Sequence, residues 1–172
     1  MGKRSDFERI ERDFYPTPYE AIIPLLPFLT IGQTFAEPCA GDGRLIKHLE
    51  RHHQKCVYAC DIEPQGEGIE TADVLFFNHT FPPCDKIITN PPWEREALHP
   101  MIDRFAAHAD TWLLFDADWM HTIQASPFAS LCKRIVSVGR VKWIEGSKNG
   151  GMDNACWYEF SKRDGRTEFY FR

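Results

Sequence analysis

The sequence has neither a long apolar segment nor a recognisable export signal. No apolar run reaches the roughly 18 residues that suggest a membrane span. The first residues, MGKRSDFERIERDF, are charged and lack the apolar centre of a secretory signal. Asp6 stands where N-myristoylation needs Ser or Thr. These features predict a cytoplasmic location.

Paired cysteine motifs are also missing. The six cysteines form no CxxC pair, and no paired Cys/His spacing is typical of zinc binding. Several lie in apolar, strand-like runs, so we expect buried, reduced thiols and no metal site. They are Cys39, Cys56, Cys60, Cys84, Cys132 and Cys156.

The chain has no overall basic excess. Its net charge is −5, which is not typical of a nucleic-acid-binding protein. The charge is uneven, however: residues 1–132 carry 11 Lys and Arg against 20 Asp and Glu, whereas residues 133–172 carry 9 against 5. Only the last quarter is therefore suited to meet phosphates, and a solvated basic face is the alternative explanation.

Internal repeats and low-complexity tracts are not apparent, and 43% of the 172 residues are hydrophobic. That composition supports one ordinary globular core. After residue 33, strand-like and helix-like segments alternate, which favours a doubly wound α/β fold. We predict a seven-stranded, mostly parallel, Rossmann-like sheet with helices on both faces in residues 33–172, preceded by an arm and a helix in residues 1–32. A single domain over residues 1–172 leaves no room for a separate target-recognition domain.

The predicted elements follow from local periodicity. The helices are Tyr19–Leu26, which Thr17 is suited to cap, Arg44–Glu50 and Ala97–Ala107. The strands are Thr34–Ala36, Lys55–Asp61, Ile69–Ala72, Asp85–Thr89, Thr111–Phe115, Ile135–Val138 and Ala155–Phe160, with Thr167–Phe171 as a candidate edge strand.

A glycine-containing turn joins the first predicted strand to the next helix. It reads EPCAGDG from Glu37 to Gly43, and its glycines let the backbone approach a ligand closely. The helix start that follows favours a negative group such as a carboxylate. Ile46 stands where the dinucleotide fingerprint GxGxxG needs a third glycine, which argues against a NAD-dependent dehydrogenase. By itself, the turn is equally well explained as an ordinary tight turn.

Carboxylates end the next two predicted strands. Asp61 lies 20 residues beyond Gly41, where a carboxylate can accept both hydroxyls of an adenosine ribose. Ile62 is placed to pack on an adenine ring, and Asp73 can accept from an exocyclic amino group. A loop-capping carboxylate explains Asp73 equally well. Together with the glycine turn, the spacing predicts a nucleoside-containing cofactor.

The tetrapeptide Asn90-Pro91-Pro92-Trp93 follows the fourth predicted strand. The Asn90 side-chain oxygen and the Pro91 carbonyl are two acceptors whose geometry the prolines restrict in advance. Two acceptors suit one amino group with two donors, and Trp93 offers a stacking face for the flat base that carries it. This corner therefore predicts a site for a planar amino compound.

These motifs, in this order, resemble the amino-group class of S-adenosylmethionine-dependent methyltransferases. The likeness covers roughly residues 13 to 93 and is greatest to small phage-type DNA adenine-N6 methyltransferases, which also have a segment similar to Asp13–Pro18. The resemblance implies S-adenosylmethionine as cofactor, DNA as the partner, and a target base flipped out of the duplex. By the same resemblance, Asn90 and Pro91 would hold the amino group of the target base, Pro92 would fix the turn, and Trp93 would stack on the base. The implied cofactor residues are Tyr15, Thr17, Pro18, Glu37, Gly41, Gly43, Asp61, Ile62, Asp73 and Val74.

A basic, glycine-rich loop between the last two predicted central strands is the candidate nucleic-acid contact. Arg140, Lys142 and Lys148 would meet phosphates and Trp143 would stack beside the flipped base, whereas a mobile solvent loop is the alternative. Three other functions stay open: methylation of an RNA amino group, methylation of a protein glutamine, and a cofactor-binding regulatory subunit without catalysis. A partner subunit or a homodimer could supply the targeting.

Overall fold

The structure is a computed structural model that describes residues 15–76, 78–144, 151 and 153–172. Its strands form one sheet in the order β3-β2-β1-β4-β5-β7-β6-β8. The strands are β1 (Thr34–Glu37), β2 (Lys55–Asp61), β3 (Glu70–Thr71), β4 (Lys86–Thr89), β5 (Asp110–Asp116), β6 (Cys132–Arg140), β7 (Asn154–Phe160) and β8 (Glu168–Tyr170). The helices are α1 (Tyr19–Ile22), α2 (Arg44–Glu50) and α3 (Arg95–His108), with 3₁₀ helices at Ile23–Phe28, Ala117–His121 and Ile123–Phe128.

Strand direction sets which ends of the strands share an edge. The five strands from β3 to β5 are parallel, β7 is antiparallel to β5, and β6 is antiparallel to β7. β8 is parallel to β6. The carboxyl ends of β1, β2, β4, β5, β6 and β8 therefore all lie at one edge of the sheet, which we call the carboxyl edge.

Alternating side chains of each strand feed two hydrophobic cores, one on each face of the sheet. On one face, Leu98, Ile102 and Phe105 of α3 pack against the strands. On the other face, α1, the adjoining 3₁₀ helix and α2 cover the sheet around Trp112 and Trp157. The prediction of a mostly parallel α/β sheet with helices on both faces is confirmed.

The β1–β4 pair is fixed by a side-chain clasp at its start. The Thr34 backbone N–H and hydroxyl both donate to Oδ2 of Asp85, at 2.7 Å each. These hydrogen bonds lower the pKa of Asp85 because they favour its ionised form. The clasp holds Thr34 beside the residue that precedes β4, and so sets the register of Phe35 with Lys86.

Several features differ from the sequence-based expectations. The sheet has eight strands among the described residues rather than seven, because the candidate edge strand forms as β8 on β6. The first helix is α-helical only over Tyr19–Ile22, because Pro24 and Pro27 lack the N–H groups that a continuing α-helix needs. Pro18, not Thr17, is the N-cap of α1, and no side-chain hydrogen bond caps it.

The six cysteines are free thiols; Cys60, Cys132 and Cys156 are buried as expected, whereas Cys39, Cys56 and Cys84 are only partly buried. Burial raises the pKa of Cys56 and of Cys132 to about 12, so both are thiols at neutral pH. In the described part of the chain, the helices are all too short or too polar to span a bilayer.

Candidate functional site

The carboxyl ends of β1 and β4 lie next to each other at the point where the strand order reverses. From β1 the chain builds outward through β2 and β3, and from β4 it builds the other way through β5. Open α/β sheets bind ligands in the crevice at such a reversal. The glycine turn after β1 and the Asn90–Trp93 corner after β4 both open into this crevice.

The glycine turn depends on backbone conformations that favour glycine. Gly41 has φ 53° and Gly43 has φ 73°, both in the left-handed region. The turn is tied to the end of β2, because the Gly41 N–H donates to Oδ2 of Asp61 at 2.8 Å. Oδ1 of Asp61 accepts the Glu63 N–H at 2.8 Å. A carboxylate offers about four acceptor positions, so Asp61 keeps capacity for further donors.

The other residues assigned to an adenine ring lie beyond β2 and β3. Ile62 is 61% exposed, which leaves its side chain available to a flat ligand. Asp73 is exposed and its Oδ1 accepts the Leu75 N–H at 2.9 Å, so the loop-capping interpretation of Asp73 describes a contact that is present. Val74 is buried in the core that α3 covers.

Glu37 is a buried carboxylate at the centre of the site. Its side chain is 2% exposed, and Oε2 has no hydrogen-bond partner among the described residues. Burial first, then the nearby Asp61 and Asp42 carboxylates, raise the pKa of Glu37 well above its ordinary value. A buried, unpartnered carboxylate is costly unless a cation or a strong donor reaches it. A positively charged group placed against Oε2 would remove this cost.

The Asn90 amide is held at both ends. Its Nδ2 donates to the Tyr15 carbonyl at 3.3 Å, and its Oδ1 accepts the Trp93 indole N–H at 3.4 Å. These two bonds fix which side of the amide carries the oxygen, with Nδ2 on the Tyr15 side and Oδ1 on the Trp93 side. Pro91 is buried and Pro92 half-buried beneath this turn. Trp93 is half-buried and packs against both cores, so its indole is only partly exposed to solvent.

Trp143 joins the corner from the loop after β6. Its ring lies 5.8 Å from the Trp93 ring in an edge-to-face arrangement and 6.5 Å from the Tyr15 ring. Tyr15, Trp93 and Trp143, which we call the aromatic trio, thus line the corner around Asn90. From the sequence, Trp143 was predicted to lie beside the flipped base; in the structure its ring lies next to Trp93 and Tyr15.

Gly151 is a positioning residue that the sequence analysis missed. Its N–H donates to the Val141 carbonyl at 2.7 Å and closes the base of the loop. A Cβ at this position would lie 2.8 Å from the Val141 oxygen and 3.1 Å from Cδ1 of Trp143. Only glycine therefore fits between the loop base and the indole. The Gly150-Gly151 pair before β7 was the available sequence signal.

The segment before α1 packs against the same corner. Thr17 is buried at 5% exposure, and Pro18 begins α1. Because Tyr15 contacts both Asn90 and Trp143, this segment connects the corner to the loop after β6.

Charges of both signs flank the corner. Arg140 and Lys142 are exposed at the end of β6, whereas the predicted contact Lys148 lies outside the described residues. Acidic groups gather after β5: the pKa of Asp116 is raised by burial and, further, by the carboxylates of Asp118 and Asp153. The carboxyl edge is therefore basic at β6 and acidic at β5.

The same fold occurs in solved methyltransferase structures. A candidate class I S-adenosylmethionine-dependent methyltransferase from Listeria monocytogenes gives a TM-score of 0.63 at 11% identity, over 96% of this chain and 67% of that one. A candidate RNA methyltransferase from Pyrococcus horikoshii gives 0.61 at 18% identity, over 91% and 90%. The methyltransferase subunit of a type I restriction-modification system from Streptococcus thermophilus gives 0.59 at 13% identity, over 91% and 47%. No protein-family model and no curated protein matches the sequence. At these identities, the likeness establishes the class I methyltransferase fold.

We predict that Glu37→Gln stabilises the ligand-free protein at neutral and higher pH. Glu37 ionises near pH 4.3 in an unfolded chain but only at higher pH when folded. As pH rises through that interval, the wild type loses free energy of unfolding relative to the variant, by about 1.4 kcal/mol for each unit by which folding raises the pKa. Urea unfolding of both proteins between pH 4 and 9 measures this difference. A difference that stays constant with pH would contradict the assignment.

Proposed function

We propose that the protein transfers a methyl group from S-adenosylmethionine to the exocyclic N6 amino group of adenine in DNA. The observation that carries the proposal is the meeting of two sites in one crevice. The glycine turn with Asp61 and Glu37 forms one side, and the Asn90–Trp93 corner with Trp143 forms the other. The class I fold supports this assignment, and so does the resemblance of the sequence motifs to those of amino-group methyltransferases.

The residues around the glycine turn fit the three parts of the cofactor. The unpartnered Oε2 of Glu37 suits the ammonium of a methionine moiety, and the open backbone at Gly41 and Gly43 gives that moiety room. Asp61 has acceptor capacity left for the ribose hydroxyls, and the exposed Ile62 side chain provides an apolar face for adenine. Bound S-adenosylmethionine would supply an electrophilic methyl group, because its sulfonium sulfur leaves as a neutral thioether when the methyl group is transferred.

Asn90 and Pro91 raise the reactivity of the target nitrogen. An aromatic amine is a poor nucleophile because its lone pair is delocalised into the ring. When Oδ1 of Asn90 and the Pro91 carbonyl each accept one of its N–H groups, the nitrogen becomes more pyramidal and regains electron density. The bond from Asn90 to the Tyr15 carbonyl orients the amide oxygen for this role before the target arrives.

Trp93 occupies the acceptor that the target needs. Its indole N–H donates to Oδ1 of Asn90 in the target-free protein, and at 3.4 Å this is a long hydrogen bond. An incoming amino group replaces the indole N–H with a shorter bond, while the Trp93 ring becomes a stacking surface for the base. The exchange keeps the Asn90 oxygen satisfied both with and without a target.

A base in a duplex reaches this crevice only after it is flipped out. Arg140 and Lys142 are exposed at the same edge of the sheet, where they can contact the phosphates that flank the base. Trp143 lies between these cations and Trp93, so it is placed to fill the gap left by the flipped base or to stack beside it. Residues 1–172 then act as one methyltransferase domain, with Lys148 adding to the basic loop.

Methylation of a protein glutamine is a second candidate, and one observation favours it. Asp116, Asp118 and Asp153 place negative charge next to the corner, which repels phosphates there. A glutamine amide also carries a planar NH₂ group and brings no phosphate. The two candidates can be separated by incubating the protein with labelled S-adenosylmethionine and DNA, RNA or protein, and measuring which substrate acquires the labelled methyl group.

The cofactor assignment predicts a loss of affinity in Asp61→Ala. Removing a charge-assisted contact of about 1.5–3 kcal/mol should raise the Kd for S-adenosylhomocysteine by roughly 10- to 100-fold. Asp61→Asn keeps an acceptor for the Gly41 N–H, so its Kd should lie between those of the wild type and Asp61→Ala. Isothermal titration calorimetry measures all three proteins, with NAD as the ligand that should not bind. Equal affinity of Asp61→Ala and wild type would remove the ribose assignment.

The corner assignment predicts that Asn90→Ala lowers kcat by about 100-fold or more, while S-adenosylhomocysteine affinity changes by no more than a few fold. The lost acceptor acts on the amine in the transition state, so kcat falls more than KM rises. Incorporation of labelled methyl groups into DNA, followed by nucleoside analysis for N6-methyladenine, measures the effect. Asn78→Ala, which removes an exposed asparagine, is the matched control. Wild-type turnover in Asn90→Ala would exclude amino methylation at this corner.

The docking assignment predicts a weaker salt dependence in Arg140→Ala/Lys142→Ala. Each lost phosphate contact lowers the slope of log K against log salt by about 0.9, so the double variant should lose roughly two. Fluorescence anisotropy with labelled duplex DNA at several salt concentrations measures the slope. Lys162→Ala/Arg166→Ala removes two exposed cations from the opposite edge and should leave the slope unchanged. An unaltered slope in the first variant would place the DNA elsewhere.

A further inference from the structure

β8 ends the sheet with an unpaired side. In the part of the chain that the structure describes, β6 is its strand neighbour and no strand pairs with its outer side. The N–H and C=O groups on that side are a template for another strand. Proteins often protect such an edge with lysine, proline or a bulge; residues 168–172 contain no lysine or proline, and β8 pairs with β6 without a bulge.

The side chains of this edge divide cleanly between the two faces of the sheet. Phe169 and Phe171 share one face, with rings 5.0 Å apart, and their exposures are 43% and 87%. Tyr170 is on the other face against Phe28, and Glu168, two residues earlier in β8, shares this face. Arg172 follows the strand, and its side chain lies beside Gly139 of β6. We call residues 168–172 the edge segment; it carries one anion, one cation and two exposed phenyl rings.

We propose that the edge segment pairs antiparallel with the edge segment of a second copy of the chain, in the register centred on Tyr170. In that register, Glu168 lies opposite Arg172 of the second copy, and this ion pair forms twice. Phe169 lies opposite Phe171 of the second copy on the other face, and this aromatic pair also forms twice. The segment is therefore complementary to itself in charge and in shape.

Neighbouring registers lack this complementarity. Centring on Phe169 places Arg166 opposite Arg172 and leaves Glu168 opposite Tyr170. A slip of one residue sets the phenyl face of one copy beside the charged face of the other. Phosphate-rich partners also fit poorly, because the single cation of the segment is matched by a carboxylate. The charges and the rings thus select a second copy as the occupant.

Glu168 remains available for this pairing. It accepts from the Tyr170 hydroxyl at 2.6 Å and lies 3.9 Å from Nε of Arg134, yet its side chain is 60% exposed. Two identical strands that pair antiparallel are related by a two-fold axis, so the assembly closes as a dimer and does not grow into a fibre. The two sheets become one continuous sheet across the junction.

Complementary charge reversals test the register. Glu168→Lys and Arg172→Glu each turn both ion pairs of a homodimer from attraction into repulsion, so each alone should weaken dimerisation by about 10-fold or more. A mixture of the two variants restores two attractive pairs in the heterodimer. We therefore expect the wild type to sediment as a dimer, each variant as a monomer at the same concentration, and the mixture as a dimer with a Kd within a few fold of the wild type.

Three further proteins complete the sedimentation experiment. Arg166→Glu reverses an exposed cation that has no partner in this register and should leave the dimer intact. Phe171→Ser should weaken the dimer because it removes both aromatic pairs. Circular dichroism and S-adenosylhomocysteine binding confirm that each variant is folded. A monomeric wild type, dimeric single variants, or a mixture that stays monomeric would each overturn the proposal, whatever the substrate of the crevice.

Discussion

The parallel pairing of β1 with β4 is the constraint on which the crevice depends. These strands are joined by the Thr34–Asp85 clasp, although 51 residues separate the two partners in the chain. Because both strands start in register, they end together, and the glycine turn emerges beside the Asn90–Trp93 corner. A slip of β4 against β1 would change the face on which each of its side chains lies and would separate the two halves of the site. The chemistry of the crevice is thus set at the far end of the strands that form it.

Within the crevice, the residue types assigned to ligand binding are not those that would make the folded protein most stable. Glu37 sits in a dry position with two other carboxylates nearby, and it lacks a partner for Oε2. An apolar or neutral residue would pack there at lower cost. The Asn90 amide, in contrast, has a partner for each of its two polar atoms, in the Tyr15 carbonyl and the Trp93 indole. Proteins commonly keep such unfavourable groups at functional sites.

Sequence periodicity predicted most of this fold, and its failures have physical causes. α2 and β2 have the bounds expected from their residues, because short amphipathic and alternating patterns carry enough local information. The end of the first helix was missed because the pattern of apolar residues continued past the prolines that change it to a 3₁₀ helix. The corner could be predicted because two prolines restrict their own geometry. The roles of Gly151 and the Tyr15 carbonyl could not, since each depends on a backbone group brought near from a distant part of the chain.

The direction of β8 determines how the two crevices of the proposed dimer would meet the proposed duplex substrate. β8 runs parallel to β6, and hence in the same direction as β4. The two-fold axis of the proposed dimer passes through Tyr170 and reverses that direction. The crevices of the two copies would therefore open at opposite edges of the joined sheet. Both crevices cannot then face one short palindrome at the same time. If DNA is the substrate, as proposed, such a dimer would modify a palindromic site one strand per encounter and release a half-modified duplex between the two events, while the second crevice could engage a separate stretch of nucleic acid.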